Sequence, residues 1–293
     1  MIHKITLKDL YTEEPRWCSG CGNYIILSVI KKFIVDNQIS PSQIFNVSGI
    51  GCSGRTPNYI NTNSLHGIHG RAIPLSFGLS LANEGKNKIF IHAGDGDALS
   101  IGGNHLIHGI NKNFNCVFII YDNQRYALTK NQTSSTSSLG EKTTTNPFGV
   151  DMLPLNIPKL ALGLGASFVA LTADFYYDHL YKTVKEAYKH NGFSIVHVTQ
   201  NCSYYSSKSF NHKDFNFLIH KNGIILDKKD INKLKKVKHN PCNLKKAFEL
   251  VTDNKKYLGI LYKNSEKYHY DKNLISQINK NKSSKNILNQ FKI

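Results

Sequence analysis

Up to about residue 207, the chain alternates short apolar runs with glycine-rich turns and amphipathic stretches. This alternation is typical of an α/β fold in which helices flank a mostly parallel central sheet. Strands in such a sheet are covered on both faces, so they appear as almost continuous apolar runs. The pattern predicts strands at residues 44–47, 88–92, 116–121, 167–171 and 194–199, and helices at residues 24–35, 71–83, 99–110, 157–164 and 175–190.

Beyond residue 207 the pattern weakens, which predicts a domain of residues 1–207 followed by a partly irregular C-terminal extension of residues 208–293. The extension is predicted to contain a small hairpin near residues 217–226 and a helix near residues 243–251. Its last ~20 residues are polar and terminal, so we expect them to be frayed. Within the first domain, a Ser/Thr-rich loop at residues 123–147 has no periodicity, and loops of that length are more often functional than filler.

Charge and hydropathy exclude some classes of function. The 293 residues include 37 Lys+Arg and 20 Asp+Glu, which gives a formal net charge of +17. The lysine-rich stretches lie late in the chain and lack the regularly interleaved aromatic residues of a nucleic-acid platform. We interpret them as solvated surface charge and expect no nucleic-acid partner. The sequence has no signal-peptide pattern and no run of roughly 18 apolar residues, so we expect a cytoplasmic protein without a membrane partner.

Six cysteines are present, and in a chain without an export signal they favour metal binding or redox chemistry over disulfides. Cys18 and Cys21 form a C-x-x-C pair in the stretch RWCSGCGNY, which presents two thiolates to one site. Zinc and a [4Fe–4S] cluster both accept four thiolates, so the spacing leaves both open. Cys116 lies inside an apolar strand and is interpreted as a core residue. Cys242 lies in the weakly patterned tail.

A glycine-rich turn at residues 94–98 (GDGDA) follows one predicted strand and precedes a predicted helix. It lacks the features of a phosphate-binding P-loop and of a G-x-G-x-x-G dinucleotide site. Open α/β sheets bind ligands at the carboxyl ends of their strands, where this turn lies. A hard cation on a diphosphate needs a carboxylate and neutral oxygen donors. Asp95 offers the carboxylate, Asn123 at the end of the next strand offers an amide oxygen, and Arg125 offers a main-chain carbonyl.

Seven stretches between residues 17 and 202 carry a resemblance to a known family. In chain order they are WCSGCG, GIGCSGRTPNYINT, LHGIHGRAIPLSFGLSLAN, GDGDALSIGGNHLIHGI, NQRYALTKNQ, ALGLGASFVA and GFSIVHVTQNC. In this order they resemble the β subunit of the 2-oxoacid:ferredoxin oxidoreductases, and they are most similar to the 2-oxoglutarate type. The resemblance implies the thiamine diphosphate-binding fold. It also implies CoA-dependent oxidative decarboxylation of a 2-oxoacid to acyl-CoA (succinyl-CoA from 2-oxoglutarate) and CO2, with electrons passing through a [4Fe–4S] cluster to ferredoxin. Pyruvate or a broad substrate range is the alternative within the family.

The resemblance also implies roles for individual residues. A 2-oxoglutarate substrate has a distal carboxylate that must meet positive charge, so Lys130 and Arg55 are predicted to read the substrate's carboxylates. His69 is a third catalytic candidate. The predicted cluster ligands are Cys18, Cys21, Cys52 and Cys202. The predicted Mg2+ ligands are Asp95, Asn123 and Arg125. The predicted thiamine diphosphate contacts are Ile50, Gly51, Cys52, Ser53, His69, Gly70, Arg71, Gly96, Asp97, Ala127, Leu128 and Thr129.

The sequence departs from the family at Ser19, Asp122, Ala127 and Asn131, where proline, asparagine and two glycines are usual. None of these departures removes a predicted ligand. No part of the chain resembles the half-site that grips the aminopyrimidine of the cofactor, and the resemblance therefore implies an α subunit as obligate partner. The alternative class is a basic, zinc-stapled nucleic-acid-binding protein, which would leave the glycine-rich turn and Asn123 unused. A subunit that keeps only the cluster is a third alternative, and the retained Asp95 argues against it.

Overall fold

The computed structural model describes residues 4–205, 214–219, 235–253 and 255–281. The described helices are α1 (Asn23–Asp36), α2 (Ala72–Ala82), α3 (Gly103–Lys112), α4 (Ile157–Gly163), α5 (Tyr177–Lys189), α6 (Leu244–Thr252) and α7 (Tyr270–Asn281). The described strands are β1 (Ile44–Ser48), β2 (Asn63–His66), β3 (Lys88–Gly94), β4 (Cys116–Asp122), β5 (Arg125–Tyr126), β6 (Gln132–Thr133), β7 (Phe168–Ala173), β8 (Phe193–Thr199), β9 (Phe215–Ile219), β10 (Lys235–Lys238) and β11 (Lys256–Lys263).

Nine strands form one sheet in the order β10-β9-β11-β7-β8-β4-β3-β1-β2. Neighbouring strands are parallel except for β11, which runs antiparallel to β7. The short strands β5 and β6 form a separate antiparallel pair. The predicted α/β class, with a mostly parallel central sheet flanked by helices, is confirmed.

The core lies on both faces of this sheet. In β4, Phe118 and Ile120 join one hydrophobic cluster, whereas Val117 and Ile119 join another. Helices α2, α3, α4 and α6 pack on the first cluster, and α1 and α5 pack on the second. Burial on both faces explains why the central strands are continuous apolar runs in the sequence. None of the described helices is long and apolar enough to cross a membrane.

The helix predicted at residues 99–110 begins differently in the structure. A π-helical turn occupies Gly96–Ile101, and α3 begins only at Gly103. π-helical turns are rare and occur frequently at functional sites. In this chain the π-helical turn lies in the glycine-rich motif, directly after β3.

The C-terminal strands β9, β10 and β11 extend the main sheet. Residues 217–219 of the predicted hairpin belong to β9, which pairs in parallel with β10 and β11. Residues 220–226 of that hairpin lie outside the described residues, and so does the predicted domain boundary after residue 207. The helix predicted near residues 243–251 is confirmed as α6. The frayed end predicted for the tail is wrong for residues 274–281, which belong to α7.

Candidate active site

A cavity opens where β1, β3 and β4 end, and most of the predicted cofactor residues line it. Gly70 and Arg71 are not part of its lining. The Gly70 N–H instead donates to the Asp97 carboxylate at 2.7 Å, and the Arg71 guanidinium donates to the His69 carbonyl at 3.1 Å. The predicted residues that the cavity brings together are Ile50, Gly51, Cys52, Ser53, His69, Asp95, Gly96, Asp97, Asn123, Arg125, Ala127, Leu128 and Thr129.

Asp95 and Asp122 share one hydroxyl group. The Thr136 Oγ1 atom lies 2.8 Å from Asp95 Oδ2 and 2.8 Å from Asp122 Oδ1. A hydroxyl has one proton, so it can donate to only one of them at a time. Burial, reinforced by the Asp122 carboxylate, raises the pKa of Asp95 to about 7. Asp122 is also held by the Gln124 N–H at 3.2 Å and lies 2.8 Å from His197 Nε2. A cation would stabilise the negative charge of these two buried carboxylates.

Asn123 follows Asp122 at the carboxyl end of β4. Its side-chain oxygen accepts a hydrogen bond from the Arg125 N–H at 3.1 Å, which closes a tight Asx turn of the kind that asparagine favours. The amide oxygen retains a second lone pair. The side chain of Arg125 is buried and forms an ion pair with Glu141, so this turn is anchored to the Ser/Thr-rich loop.

Asp97 connects three segments around the cavity. One of its carboxylate oxygens accepts the N–H groups of Gly70, at 2.7 Å, and Ile50, at 3.3 Å, and it lies 2.5 Å from His69 Nδ1. Burial raises the pKa of Asp97, while these hydrogen bonds and His69 oppose the shift. A Cβ atom on Gly49 would lie 1.9 Å from this carboxylate, so the approach requires glycine there. The Asp97 side chain therefore positions the predicted cofactor loops.

Tyr126 covers the start of the π-helical turn and was not a predicted site residue. Its hydroxyl donates to the Gly96 carbonyl at 3.1 Å. A Cβ atom on Gly96 would lie 2.4 Å from the tyrosine ring. Gly96 is therefore required because the ring packs directly on the backbone.

The four cysteines predicted as cluster ligands all line a second cavity: Cys18, Cys21, Cys52 and Cys202. This cavity adjoins the first, because Cys52, Asn123 and Leu128 line both. Arg55 and Lys130, predicted to read substrate carboxylates, line the cysteine cavity.

Hydrogen bonds position these thiols. The Cys21 N–H donates to the Cys18 carbonyl at 3.1 Å, and the indole N–H of Trp17 donates to the Cys52 carbonyl at 2.8 Å. Burial raises the pKa of Cys21 to about 12 and that of Cys52 to about 11, and the neighbouring thiols add to both shifts. Four thiolates in this cavity would repel one another unless a cationic centre bound them.

Asp174, directly after β7, holds the segments that carry Cys21 and Cys202, and sequence reasoning missed it. Its carboxylate is buried and accepts the Asn201 N–H at 2.7 Å. The Asn201 carbonyl in turn accepts the Gly22 N–H at 3.1 Å. Asp174 thus connects the segment of Cys202 to the segment of Cys21. No local sequence signal marks it, because its partners are distant along the chain.

The comparisons with known proteins agree with this geometry. Residues 49–198 match the family model described as thiamine pyrophosphate enzyme, C-terminal TPP binding domain, and these residues include the glycine-rich turn and Asn123. Residues 228–278 match the model for the C terminal of the pyruvate ferredoxin oxidoreductase beta subunit. Fold and site together define a thiamine pyrophosphate-binding domain.

Individual relatives narrow this class. A 2-oxoglutarate synthase subunit KorB of Methanocaldococcus jannaschii is 34% identical over 234 residues, covering 80% of this chain and 81% of the relative. A 2-oxoglutarate oxidoreductase subunit KorB of Mycobacterium tuberculosis is 42% identical over 198 residues, covering 68% of this chain and 53% of the relative. The match thus spans about half the length of the mycobacterial protein. The chain belongs to the β subunits of the 2-oxoacid:ferredoxin oxidoreductases.

A solved structure shares the whole fold. It is the 2-oxoglutarate:ferredoxin oxidoreductase from Magnetococcus marinus with 2-oxoglutarate, coenzyme A and succinyl-CoA bound. The two structures superpose with a TM-score of 0.86 at 28% sequence identity, over 99% of this chain and 97% of the other. The similarity therefore includes the C-terminal strands as well as the domain that carries the glycine-rich turn.

Proposed function

We propose that this chain, together with an α subunit, oxidatively decarboxylates a 2-oxoacid, with 2-oxoglutarate as first candidate, to the acyl-CoA and CO2, and passes the electrons to ferredoxin. One observation carries the proposal: a cavity lined by Cys18, Cys21, Cys52 and Cys202 adjoins the cavity lined by Asp95 and Asn123. When bound, thiamine diphosphate supplies the nucleophilic carbon and the cluster accepts single electrons. The protein supplies binding, orientation and charge.

The residues around Asp95 fit a magnesium diphosphate. Asp95 would give a carboxylate oxygen, Asn123 its amide oxygen and Arg125 its main-chain carbonyl, a set of oxygen donors that suits Mg2+. A cation there would also offset the repulsion between Asp95 and Asp122, which lie within hydrogen-bond distance of the same Thr136 hydroxyl. Gly96 also lines the same cavity.

The cysteine cavity suits a [4Fe–4S] cluster, which takes one cysteine on each of four irons. Zinc also accepts four thiolates. The adjoining cofactor cavity favours the cluster, because oxidation of a 2-oxoacid needs an electron acceptor beside the cofactor.

Lys130 and Arg55 would bind the carboxylates of the substrate through their positive charges. Lys130 and Asn131 both have positive φ angles, 81° and 75°, and a lysine in this region is strained, which often accompanies a functional constraint. The lysine backbone is held by its N–H, which donates to the Ala127 carbonyl at 3.2 Å. The names of the KorB relatives and the bound 2-oxoglutarate of the Magnetococcus enzyme favour a dicarboxylic substrate. The family model at residues 228–278 keeps pyruvate as second candidate.

The partner would cover an exposed apolar segment that follows the Ser/Thr-rich loop. Phe148 is 98% exposed and Leu153 81% exposed. Their segment is held in place because the Gly140 N–H donates to the Val150 carbonyl at 2.7 Å. Exposed apolar patches of this kind mark interaction sites. We infer that an α subunit packs on it and closes the cofactor between the two chains.

The proposal is tested by anaerobic co-expression with the α subunit. Reduction of a dye acceptor would be measured with CoA and either 2-oxoglutarate or pyruvate, alongside the iron and sulfide content. We expect a brown complex with about four irons per β chain and faster turnover of 2-oxoglutarate. Lys130→Ala should raise KM for 2-oxoglutarate more than KM for pyruvate, and Cys242→Ser should change nothing. A colourless zinc protein whose nucleic-acid affinity falls steeply with salt would favour the alternative class.

A further inference from the structure

Asn23, the first residue of α1, is buried without a hydrogen-bond partner. Its side chain is 1% exposed. Both its Oδ1 and its Nδ2 atoms are buried, and neither has a partner among the residues that the structure describes. Buried amides are almost always hydrogen-bonded, so an unpaired one calls for a specific explanation. Neither the family comparisons nor the sequence motifs assign a role to this side chain.

The position of Asn23 indicates what it faces. Asn23 is one of the residues that line the cofactor cavity, and its backbone N–H faces the sulfur of Cys21. The preceding residue, Gly22, is fixed by its bond to Asn201. Asn23 therefore lies next to the boundary between the cofactor cavity and the cysteine cavity, and its amide is buried and unpaired.

Several other polar side chains that line the cofactor cavity are already engaged. Gln200 and Tyr126 each donate to a backbone carbonyl, and Arg125 is engaged by Glu141. The cavity also contains the carboxylates of Asp95 and Asp97, so it is rich in acceptors. A ligand with several anionic oxygens needs donors, and the Asn23 amide offers two N–H groups that are not otherwise used.

We propose that the side-chain amide of Asn23 donates a hydrogen bond to the diphosphate of thiamine diphosphate, so that one residue contacts the cofactor with its side chain and a cluster ligand with its backbone. The proposal rests on the proposed function, since it requires that cofactor in this cavity. It makes Asn23 a cofactor-contacting residue in addition to those assigned from the glycine-rich turn.

The test measures binding of thiamine diphosphate with Mg2+ to the αβ complex. The cofactor is removed anaerobically with a chelator, and the Kd is measured by calorimetry. Asn23→Asp keeps the shape and replaces the donor with a negative oxygen, and Asn23→Ala removes the donor without adding charge. Asn104→Asp, on the exposed face of α3, is the matched control. Iron content reports whether the cluster cavity stays intact, and KM for the 2-oxoacid is measured in parallel.

A hydrogen bond to a charged group contributes enough that its loss should raise the Kd by about 10- to 100-fold. We expect this rise for Asn23→Ala, a larger rise for Asn23→Asp and none for Asn104→Asp. The effect should be stronger for thiamine diphosphate than for thiamine without phosphates. Unchanged Kd values for both Asn23 variants, or a rise confined to KM, would overturn the proposal. A wild-type complex that binds no thiamine diphosphate would overturn the proposed function instead.

Discussion

In the candidate site, buried polar side chains form hydrogen bonds with one another. Thr136 is the clearest case, because its hydroxyl lies 2.8 Å from both Asp95 and Asp122. Valine has nearly the same shape without the hydroxyl. We expect Thr136→Val to weaken Mg2+-dependent binding of thiamine diphosphate by about 10-fold, because a lost hydrogen bond to a carboxylate costs about 1.5–3 kcal/mol, whereas Thr136→Ser should bind normally. Calorimetric titration with Mg2+ measures the difference, and equal affinities for valine and serine variants would contradict this role.

His179 gives a prediction on stability. It is buried in α5, its Nδ1 lies 2.9 Å from the Thr172 hydroxyl, and burial lowers its pKa to about 3. The unfolded chain takes up this proton near the ordinary pKa of about 6.5, whereas the folded chain stays neutral. The contribution of neutral His179 to the free energy of unfolding is therefore fully present above pH 6.5. It is lost as the pH falls toward 3, at about 1.4 kcal/mol per pH unit.

The pH effect is isolated by comparing wild type with His179→Gln. The free energy of unfolding is measured with urea for both proteins at pH 7 and at pH 5. The value for wild type minus the value for His179→Gln should be about 2 kcal/mol lower at pH 5 than at pH 7. The other titrating groups are common to both proteins and cancel in this difference. If the difference is the same at both pH values, the imidazole of His179 is not held buried and neutral in the folded protein.

Sequence reasoning found the residues whose chemistry is marked by local motifs. The thiols of WCSGCG and the carboxylate of the glycine-rich turn are brought to two adjoining cavities. It missed Thr136, Asp174 and Asn23, because what distinguishes them is contact with residues distant along the chain. A threonine in a Ser/Thr-rich loop or an aspartate after a strand looks like an ordinary turn former. Only the fold shows which of them is buried against the site.

Among the helices, α1 depends on how its first turn meets the end of β7. A Cβ atom on Gly22 would lie 1.6 Å from the Asp174 carboxylate, although the φ of Gly22, −60°, suits any residue. Gly22→Ala must therefore displace Asp174 or the Cys21 segment. We expect a lower Tm and reduced iron content, because the bond from Asp174 to Asn201 also positions the segment of Cys202.

The control for this prediction is Gly163→Ala at the end of α4, where a Cβ atom would meet nothing within 4 Å. It should leave iron content unchanged and stabilise the protein by up to about 1 kcal/mol, since alanine favours helix over glycine. Thermal unfolding and colorimetric iron determination measure both effects. Full iron content and an unchanged Tm in Gly22→Ala would show that the contact with Asp174 is not limiting.

The elements that the sequence predicts well are those buried on both faces. β4 is buried along its whole length, so its apolar run is unbroken. β2 is exposed at all four positions at the sheet edge, and it carries no apolar pattern to recognise. β11 has a short apolar run between lysines, which resembles the lysine-rich surface segments around it. The π-helical turn before α3 is bonded to distant segments, because Gly96 accepts from Tyr126 and Asp97 accepts from Gly70, and helical periodicity does not encode such contacts.

Taken as a single chain, the protein has both the proposed cofactor cavity and an uncovered apolar segment. The segment bearing Phe148 and Leu153 is joined to the cofactor cavity through Glu141. The Val150 N–H donates to the Glu141 carbonyl at 3.0 Å, and the Glu141 carboxylate pairs with buried Arg125, which lines the cavity. A partner that covers the segment would also restrict the turn at Asn123 and Arg125, which contains two of the proposed magnesium ligands. Assembly and cofactor binding are then expected to strengthen each other, as linked binding equilibria must.

This coupling predicts the behaviour of Phe148→Asp. The side chain is 98% exposed, so the change should not destabilise the isolated chain, but it places a charge in the proposed contact with the α subunit. We expect co-purification with the α subunit to be lost and the Kd for thiamine diphosphate to rise, with iron content unchanged. Leu7→Asp, at another exposed apolar residue, should assemble normally. Size-exclusion chromatography of the co-expressed chains decides the outcome, since an intact complex with Phe148→Asp would place the partner on a different face.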